Sequence, residues 1–493
     1  MLLGAVDLGS NSFRVEIGRV DGDRILTQSY WKETIRLAAG FDETGAITPE
    51  MQKRALEALA RFHERLAGLP PAQVRAVGTQ ALREATNSAE FLAKAETTLG
   101  YPIGILSGHE EARLVFKGCA RTLPPSSKKR LVVDIGGAST EFVIGQDLTA
   151  QAYESFHVGC VNTSIKFFQD GNLTPEKFDK AVVACAADFS EVEQTFGQHQ
   201  FDEAYGSAGT FGAVSDICVQ LGWSDGEVKL DHLERLRAYL LQARNINNIE
   251  FPGLKPDRKE VIAGGLAVLI AVYRTLGIRS MRPASGALRV GLLYELLGSV
   301  QDRDTRDISV EGLIKTSGIS RNQAERVANL SIQFLNILAP DSDPADLKRL
   351  RWSALLHEIG TTISTSRYHR HGEYIVSNAD MPGFTRTDQK YMASLILAQR
   401  GRLSKVSEQL HSSKFAVHVL ALRLAGICAH ARKTIQFPLM TVSHGSKNSK
   451  NPNTTFIKIE QSWLQEHPLT AYLLQQEIEH WQKVGKTIVL ETF

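Results

Sequence analysis

The sequence predicts an α/β protein: two similar strand–helix domains in tandem, then an all-helical domain, then a small α/β domain at the end. Three observations carry this. Short apolar strands alternate with amphipathic helices from residue 2 to about 300. One strand–turn–strand pattern occurs twice, 127 residues apart, at Val6 to Ile17 and at Val133 to Ile144. After Val300 the texture changes: from Ser309 nearly everything to about 435 has helical periodicity, and the tail mixes strands with one helix. The expected domains are 1–124, 125–300, 301–435 and 436–493.

Leu2 to Val6 reads as a strand ending on Asp7, turned by Gly9-Ser10-Asn11-Ser12. Phe13, Val15 and Ile17 alternate with Arg14, Glu16 and Gly18, the period of a returning strand. Arg24 to Trp31 is a third strand. Thr48-Pro49-Glu50 supplies an N-cap with proline at N1 for a helix with Leu56, Leu59, Phe62 and Leu66 on one face. Val74 to Val77 is a strand closing on Gly78-Thr79, and a helix runs on to Leu99. Tyr101 to Leu106 is a strand, and Glu110 begins the next helix. Pro124 to Arg130 is a linker.

The second domain opens on the strand Leu131 to Val133, a turn, and the strand Phe142 to Ile144. Helices over 175–196 and 231–245 and a strand near 201–205 follow. Gly206-Ser207-Ala208-Gly209-Thr210 leads into a helix, a ready anion site. Glu260 to Leu276 is an apolar internal helix, and Pro283 to Arg289 is one more loop entering a helix. In the helical part Ser320 and Gln323 make a capping box, and further helices lie near 346–360, 386–400 and 412–433. The tail offers strands at Leu439 to Val442, Thr455 to Glu460 and Thr487 to Glu491, with a helix over 468–483.

Composition is that of a soluble globular chain: 493 residues, 43% hydrophobic and 22% charged. The longest apolar run, Ile262 to Tyr273, is too short to span a bilayer, and the N-terminus has no basic n-region. Five scattered cysteines without a C-x-x-C argue against a disulfide framework or zinc site. A reduced, cytoplasmic protein with no integral-membrane part is expected. The net charge of +2 hides an asymmetry: residues 401–450 hold eight Lys/Arg against one Asp/Glu, a pattern suited to a polyanion or to a solvated basic face.

The two turns carry the chemistry. In Asp134-Ile135-Gly136-Gly137-Ala138-Ser139-Thr140-Glu141, glycines let backbone N–H groups approach an anion, and the flanking acids are hard oxygen ligands. A phosphate beside a divalent cation suits such a turn, and two facing turns would supply donors from both sides.

The paired Asp7-Leu8-Gly9-Ser10-Asn11-Ser12 and Asp134 to Glu141 hairpins, with Gly206 to Thr210, resemble the actin, sugar-kinase and heat-shock-chaperone superfamily. More narrowly, the chain resembles the exopolyphosphatase and guanosine pentaphosphate phosphohydrolase (Ppx/GppA) family. The residues are Val6 to Phe13, Val77-Gly78-Thr79-Gln80-Ala81-Leu82-Arg83, Leu106 to Leu114, the Asp134 turn and Ser285-Gly286-Ala287-Leu288-Arg289. In the helical part they are Arg351 to Gly360 and His369-Arg370-His371. The resemblance covers essentially the whole chain. It implies two ribonuclease H-like (actin-like) domains, an HD-like helical domain and a small C-terminal α/β domain.

It also implies roles for hydrolysis of a terminal phosphoanhydride, where catalysis is mostly positioning and electrostatics. Glu111 is the base that activates water, with Glu110 as its substitute, and Arg83 reaches the terminal phosphate. Asp134 and Glu141 hold Mg²⁺, with Asp7 contributing through water; a monovalent cation such as K⁺ is left open. Ser10, Asn11, Ser12, Gly136, Gly137, Ser139, Gly209 and Thr210 donate to phosphate oxygens. Lys414, Arg423, Arg432, Lys433, His369 and His371 would line a polyanion channel, and a homodimer is implied. Three departures stand out: Ala138 replaces a third glycine, Ser285 replaces an acid, and His357-Glu358 replaces the His-Asp pair of metal-dependent HD phosphohydrolases. The helical domain is therefore expected to be a scaffold without that metal site.

The first expectation for function is an exopolyphosphatase acting on inorganic polyphosphate, supported by the basic 401–450 segment. The alternative is a guanosine pentaphosphate 5′-phosphohydrolase. A nucleotide-dependent switch or kinase and a silent polyanion-binding regulator are the readings from other classes. Nucleic acid is not an expected partner.

Overall fold

The computed structural model describes residues 1–124, 126–300, 304–432, 440–444 and 454–493. By contacts the chain divides into two compact units, Met1–Thr305 and Arg306–Phe493. No helix among the described residues is long and apolar enough to cross a membrane.

The first unit begins with β1 (Leu2–Leu8), β2 (Ser12–Asp21) and β3 (Arg24–Thr34), an antiparallel meander. Helix α1 (Pro49–Leu66) starts as expected, with the Thr48 hydroxyl accepting from Met51 N. Then come β4 (Val74–Gly78), α2 (Gln80–Glu84), α3 (Ser88–Leu99), β5 (Ile103–Ile105) and α4 (Gly108–Thr122). The expected single helix to Leu99 is two helices. Between them the Asn87 side chain bonds both N–H and C=O of Ile47, which fixes this residue outside a helix.

The second half repeats the plan with β6 (Arg130–Ile135), β7 (Thr140–Gln146) and β8 (Thr149–Phe156). It continues through α5 (Cys160–Phe168), α6 (Pro175–Asp188), α7 (Glu193–Phe196), β9 (Glu203–Ser207) and α8 (Ala208–Gln220). β10 (Val228–Lys229), α9 (Leu230–Ala243), α10 (Ile262–Leu276), β11 (Ser280–Pro283) and α11 (Leu288–Val300) complete it. The sheets run β3-β2-β1-β4-β5 and β8-β7-β6-β9-β11-β10. In each, a hairpin strand pairs in parallel with the strand that feeds the next helix. The duplication reaches the irregularities: the bulge between Ile17 and Gly18 recurs between Ile144 and Gly145.

Each half has its own apolar core, and a third core lies between them. There Leu114, Val115 and Phe116 of α4 meet Leu288, Leu292 and Leu293 of α11, with Leu3 and Val132 from the two sheets. The helices cross closely because glycines face each other. A Cβ at Gly118 would lie 2.1 Å from Ala287 O, and one at Gly291 would lie 2.0 Å from Leu114 O. Helix α10 is buried on nearly every side, as its apolar run requires.

The second unit holds α12 (Thr305–Ser317), α13 (Arg321–Leu338), α14 (Pro344–Leu355), α15 (Tyr368–Asn378), α16 (Arg386–Ala398) and α17 (Ser413–Cys428). After them come β12 (Met440–His444), β13 (Thr454–Ile459), α18 (Gln461–Glu466), α19 (Pro468–Gln482) and β14 (Thr487–Thr492). The three strands form one sheet, β12-β13-β14. Its Ile457, Ile459 and Ile488 share a continuous core with Trp352, Phe384 and Leu420 of the helices. The expected capping box is half formed. Ser320 accepts from Gln323 N, but the Gln323 side chain donates to Ala429 O instead.

Candidate phosphate-transfer site

The two hairpin turns face each other. A Cβ on Gly137 would lie 3.0 Å from Asn11 N, so this glycine is required by close approach. Gly136, Gly137 and Ala138 all keep ordinary negative φ, so alanine at 138 is compatible with the turn's backbone. The start of α5 holds the turn from behind: Cys160 N donates to Gly136 O at 2.9 Å and Val161 N to Gly137 O at 2.7 Å. Gly136 N–H closes the turn onto Ser139 O at 2.9 Å, which removes it from the set of phosphate donors.

Between the turns lies a cavity of about 70 Å³, room for several water-sized groups. Asp7, Ser10, Asn11, Ser12, Gly136, Gly137, Ser139, Asp134, Glu141, Gly209 and Glu111 all line it. Eleven of the thirteen residues expected at the catalytic, phosphate and metal positions line this wall; Arg83 and Thr210 do not. Thr210 packs one residue deeper, where a Cβ on Gly265 would meet its methyl at 2.6 Å.

Glu111 sits in the first turn of α4, whose N-cap Ser107 accepts from Glu110 N at 3.1 Å. The helix start is set against β8: a Cβ on Gly108 would stand 2.6 Å from Ser155 Cβ. Ser155 in turn donates to Glu141 Oε1 at 2.9 Å. Arg83 Nη1 donates to Glu111 Oε2 and to Leu106 O, both at 2.9 Å, and its Nε donates to Gln80 at 2.8 Å. The guanidinium expected to touch phosphate is thus engaged behind the carboxylate. Glu110 turns the other way and makes a forked pair with Arg113 at 2.7 and 2.8 Å, so it does not share the cavity with Glu111.

Burial dominates the electrostatics. It raises the Glu111 carboxyl to about 7, against the lowering effect of Arg83, and Asp134 to about 6, against the nearby Ser207 hydroxyl and then Arg14 and Arg289. Burial likewise lifts Asp7 and, beside Glu111 and Asp134, Glu141. Four acids in one small cavity need positive charge. One Asp134 oxygen, Oδ1, is buried with no hydrogen-bond partner. This oxygen-only donor set suits Mg²⁺ chemically. Among the described residues no three His, Cys, Asp or Glu side chains converge at metal-binding distance, so water and phosphate oxygens would complete the shell.

Three arginines in the wall were not anticipated. In the β1–β2 hairpin Arg14 pairs across from Asp7, where Glu141 pairs across from Asp134 in the β6–β7 hairpin. The charge at that position is inverted between the two jaws. Arg289, at the start of α11, and Arg14 each stand 3.8 Å from the same Asp7 oxygen. Two cations beside it make Asp7 a counter-ion for arginines more than a metal ligand. Arg258 covers the N-terminus of α8: a Cβ on Gly209 would fall 1.6 Å from its Nη2. A cation against the positive end of a helix is unfavourable unless an anion joins them, and Ala208 holds a left-handed φ of 60° at that point.

The expected polyanion channel fares differently. Arg423 is buried, with Nε and Nη2 donating to Glu477 and Nη1 to Ala398 O at 2.6 Å. It serves the second unit's interior. Lys414 pairs with Asp346 at 2.6 Å, and Arg432 pairs with Glu358. Burial and the neighbouring Lys405 and Arg400 push His369 down to about 4, which leaves its ring neutral at pH 7. His371 is half-buried on α15. Lys433, with Lys447 and Lys450, lies outside the described residues.

Comparisons with known proteins place both units in one family. The Ppx/GppA phosphatase family matches residues 18–300, and the Ppx/GppA phosphatase domain III matches residues 305–478. A guanosine-5′-triphosphate,3′-diphosphate pyrophosphatase from Aeromonas hydrophila is 36% identical, over 98% of this chain and 97% of its own. One of the same name from Photobacterium profundum is 34% identical, over 99% and 98%. The crystal structure of an exopolyphosphatase from Cytophaga hutchinsonii superposes with a TM-score of 0.55 at 22% identity, covering 61% of this chain and 98% of that one.

Proposed function

The chain belongs to the Ppx/GppA phosphatase family, a phosphoanhydride hydrolase, and we propose that its substrate is guanosine-5′-triphosphate,3′-diphosphate, from which it removes the terminal 5′-phosphate. One observation carries the substrate: relatives matching nearly end to end at 34–36% identity bear that name. The likeness to the exopolyphosphatase structure is a likeness of fold. The feature that favoured polyphosphate, the basic 401–450 segment, has Lys414, Arg423 and Arg432 tied in ion pairs.

In the reaction a water oxygen attacks the terminal phosphorus, and the bond from phosphorus to the bridging oxygen breaks. Glu111 takes the water's proton, and the leaving group departs as the 5′-diphosphate. A carboxylate raised to about 7 is a competent base near neutral pH. Arg83 fixes the orientation of that carboxylate through its 2.9 Å bond. Arg14, Arg258 and Arg289 face the cavity and hold the transferred phosphoryl and its neighbour as charge develops. Mg²⁺, held at Asp134 with Glu141 beside it, would neutralise phosphate charge. The small cavity takes the phosphate end and leaves the nucleoside outside it.

The test is product analysis. The purified protein with Mg²⁺ should give one orthophosphate and one guanosine 3′,5′-bis(diphosphate) per guanosine pentaphosphate consumed. Pyrophosphate as the product would overturn the assignment of the terminal bond.

A further inference from the structure

The first unit contains a second, larger cavity of about 600 Å³, within the size range of small-molecule sites. Its walls come from both halves: Ile25 and Thr27 of β3, Arg121 and Leu123 at the end of α4, and Leu293 and Tyr294 of α11. The floor is apolar, and at the rim Leu26 and Leu148 stay 43% and 44% exposed. The charged residues of the wall are Arg24, Arg121 and Arg130 with Glu16 and Asp147. Glu16 is taken up by Thr27 and Arg289, and Arg130 by Glu203, which leaves Arg24 and Arg121 as the cations open to a ligand. The Arg121 guanidinium lies 4.6 Å over the Tyr294 ring, giving an aromatic surface backed by positive charge, and Arg24 stands at the mouth.

One residue belongs to both this wall and the phosphate site's support. The Thr27 hydroxyl donates to Glu16 Oε1 at 2.9 Å, and Arg289 Nε donates to Glu16 Oε2 at 3.1 Å. Arg289 lines the phosphate cavity. Tyr294 OH also accepts from Ile25 N at 3.2 Å, tying β3 to α11. Thr27 is thus one bond from the carboxylate that anchors Arg289, and Tyr294 holds the strand that carries Thr27.

We propose that the cavity between β3, α4 and α11 is a second binding site, for a small organic anion with a flat apolar body, and that its occupant acts on the phosphate site through Glu16. The size and floor call for an apolar body, and Arg24 and Arg121 call for an anionic group. The coupling rests on the reading of the phosphate site given above; the binding does not.

The probe is 8-anilinonaphthalene-1-sulfonate, which has this chemistry, titrated by fluorescence into the full-length protein. We expect saturable one-to-one binding, weakened at least about tenfold by Arg121→Leu and by Leu148→Glu. Arg282→Leu, an exposed arginine outside the cavity, should leave it unchanged. Thermal unfolding of each variant checks the fold. Inorganic phosphate affinity by calorimetry should change at least about threefold with saturating probe, and Glu16→Gln should abolish that change while the probe still binds. By reciprocity, phosphate should alter the probe's affinity by the same factor. Binding indifferent to Arg121→Leu and Leu148→Glu, or phosphate affinity indifferent to the probe, overturns the proposal. Failure of inorganic phosphate to bind at all counts against the phosphate site, whereas the fluorescence result judges the second cavity by itself.

Discussion

Arg83 donates to Glu111 at 2.9 Å, and both side chains are about nine-tenths buried, at 7% and 10% exposure. A carboxylate raised by burial and held by a guanidinium has one lone-pair face fixed by the arginine and the other turned to the cavity. Glu111→Gln should lower kcat by on the order of 10²–10⁴, the range for loss of a general base, with KM little changed. Glu110→Gln should lower the melting temperature, because Arg113 loses one of its two carboxylate partners and keeps only Glu295, while keeping most of the rate. Steady-state kinetics of the two variants decide which glutamate is the base; loss of rate with Glu110→Gln alone would reverse the assignment.

The acid limb of the rate should report the same carboxylate. Glu111 must be ionised to accept a proton, so kcat should rise with pH through about 7. Removing the neighbouring cation makes ionisation harder, and Arg83→Met should move that limb upward. The readout is the pH–rate profile. A raised KM with an unmoved limb would return Arg83 to the direct phosphate contact expected from sequence.

Glu141 is 1% exposed, and burial raises its carboxyl well above the ordinary value. A raised acid costs the folded state nothing below the unfolded pKa of about 4.3. The cost grows as pH rises above it and is complete once the folded pKa is passed. Glu141→Gln should therefore melt higher than the parent at pH 8, and the gap should close toward pH 4.5. A gap that is constant with pH would mean that ionisation of Glu141 carries no penalty.

Arg423 and Glu477 are both buried, at 3% and 4% exposure. Arg423→Met leaves a buried carboxylate without its cation and should cost about 3–5 kcal/mol of stability. The double variant with Glu477→Leu should recover most of it. Unchanged stability with weakened binding of long polyphosphate would restore Arg423 to a channel.

The sequence revealed what repeats and what alternates. Period-2 apolar residues and the recurrence of Asp-x-Gly-x-x-Ser located both hairpins, and the two turns do face each other across one cavity. Contacts between distant segments left no such mark. Arg258 covers Gly209 from 49 residues away, and nothing in the alternation of Arg14 with Phe13 and Val15 marks its register with Asp7. The basic count over 401–450 could not see Glu477, which lies 54 residues beyond Arg423. Ser155 left no signal because β8 is a half-polar edge strand, Thr149–Phe156, without a long apolar alternation.

We propose that Glu111 drives terminal phosphate removal from guanosine pentaphosphate. The most direct measurement is orthophosphate release from guanosine pentaphosphate and from long-chain polyphosphate, side by side with Mg²⁺, for the parent and Glu111→Gln. The expected result is a higher kcat/KM for guanosine pentaphosphate, lost in the variant. Release from polyphosphate alone, or release from guanosine pentaphosphate undiminished in Glu111→Gln, would contradict it.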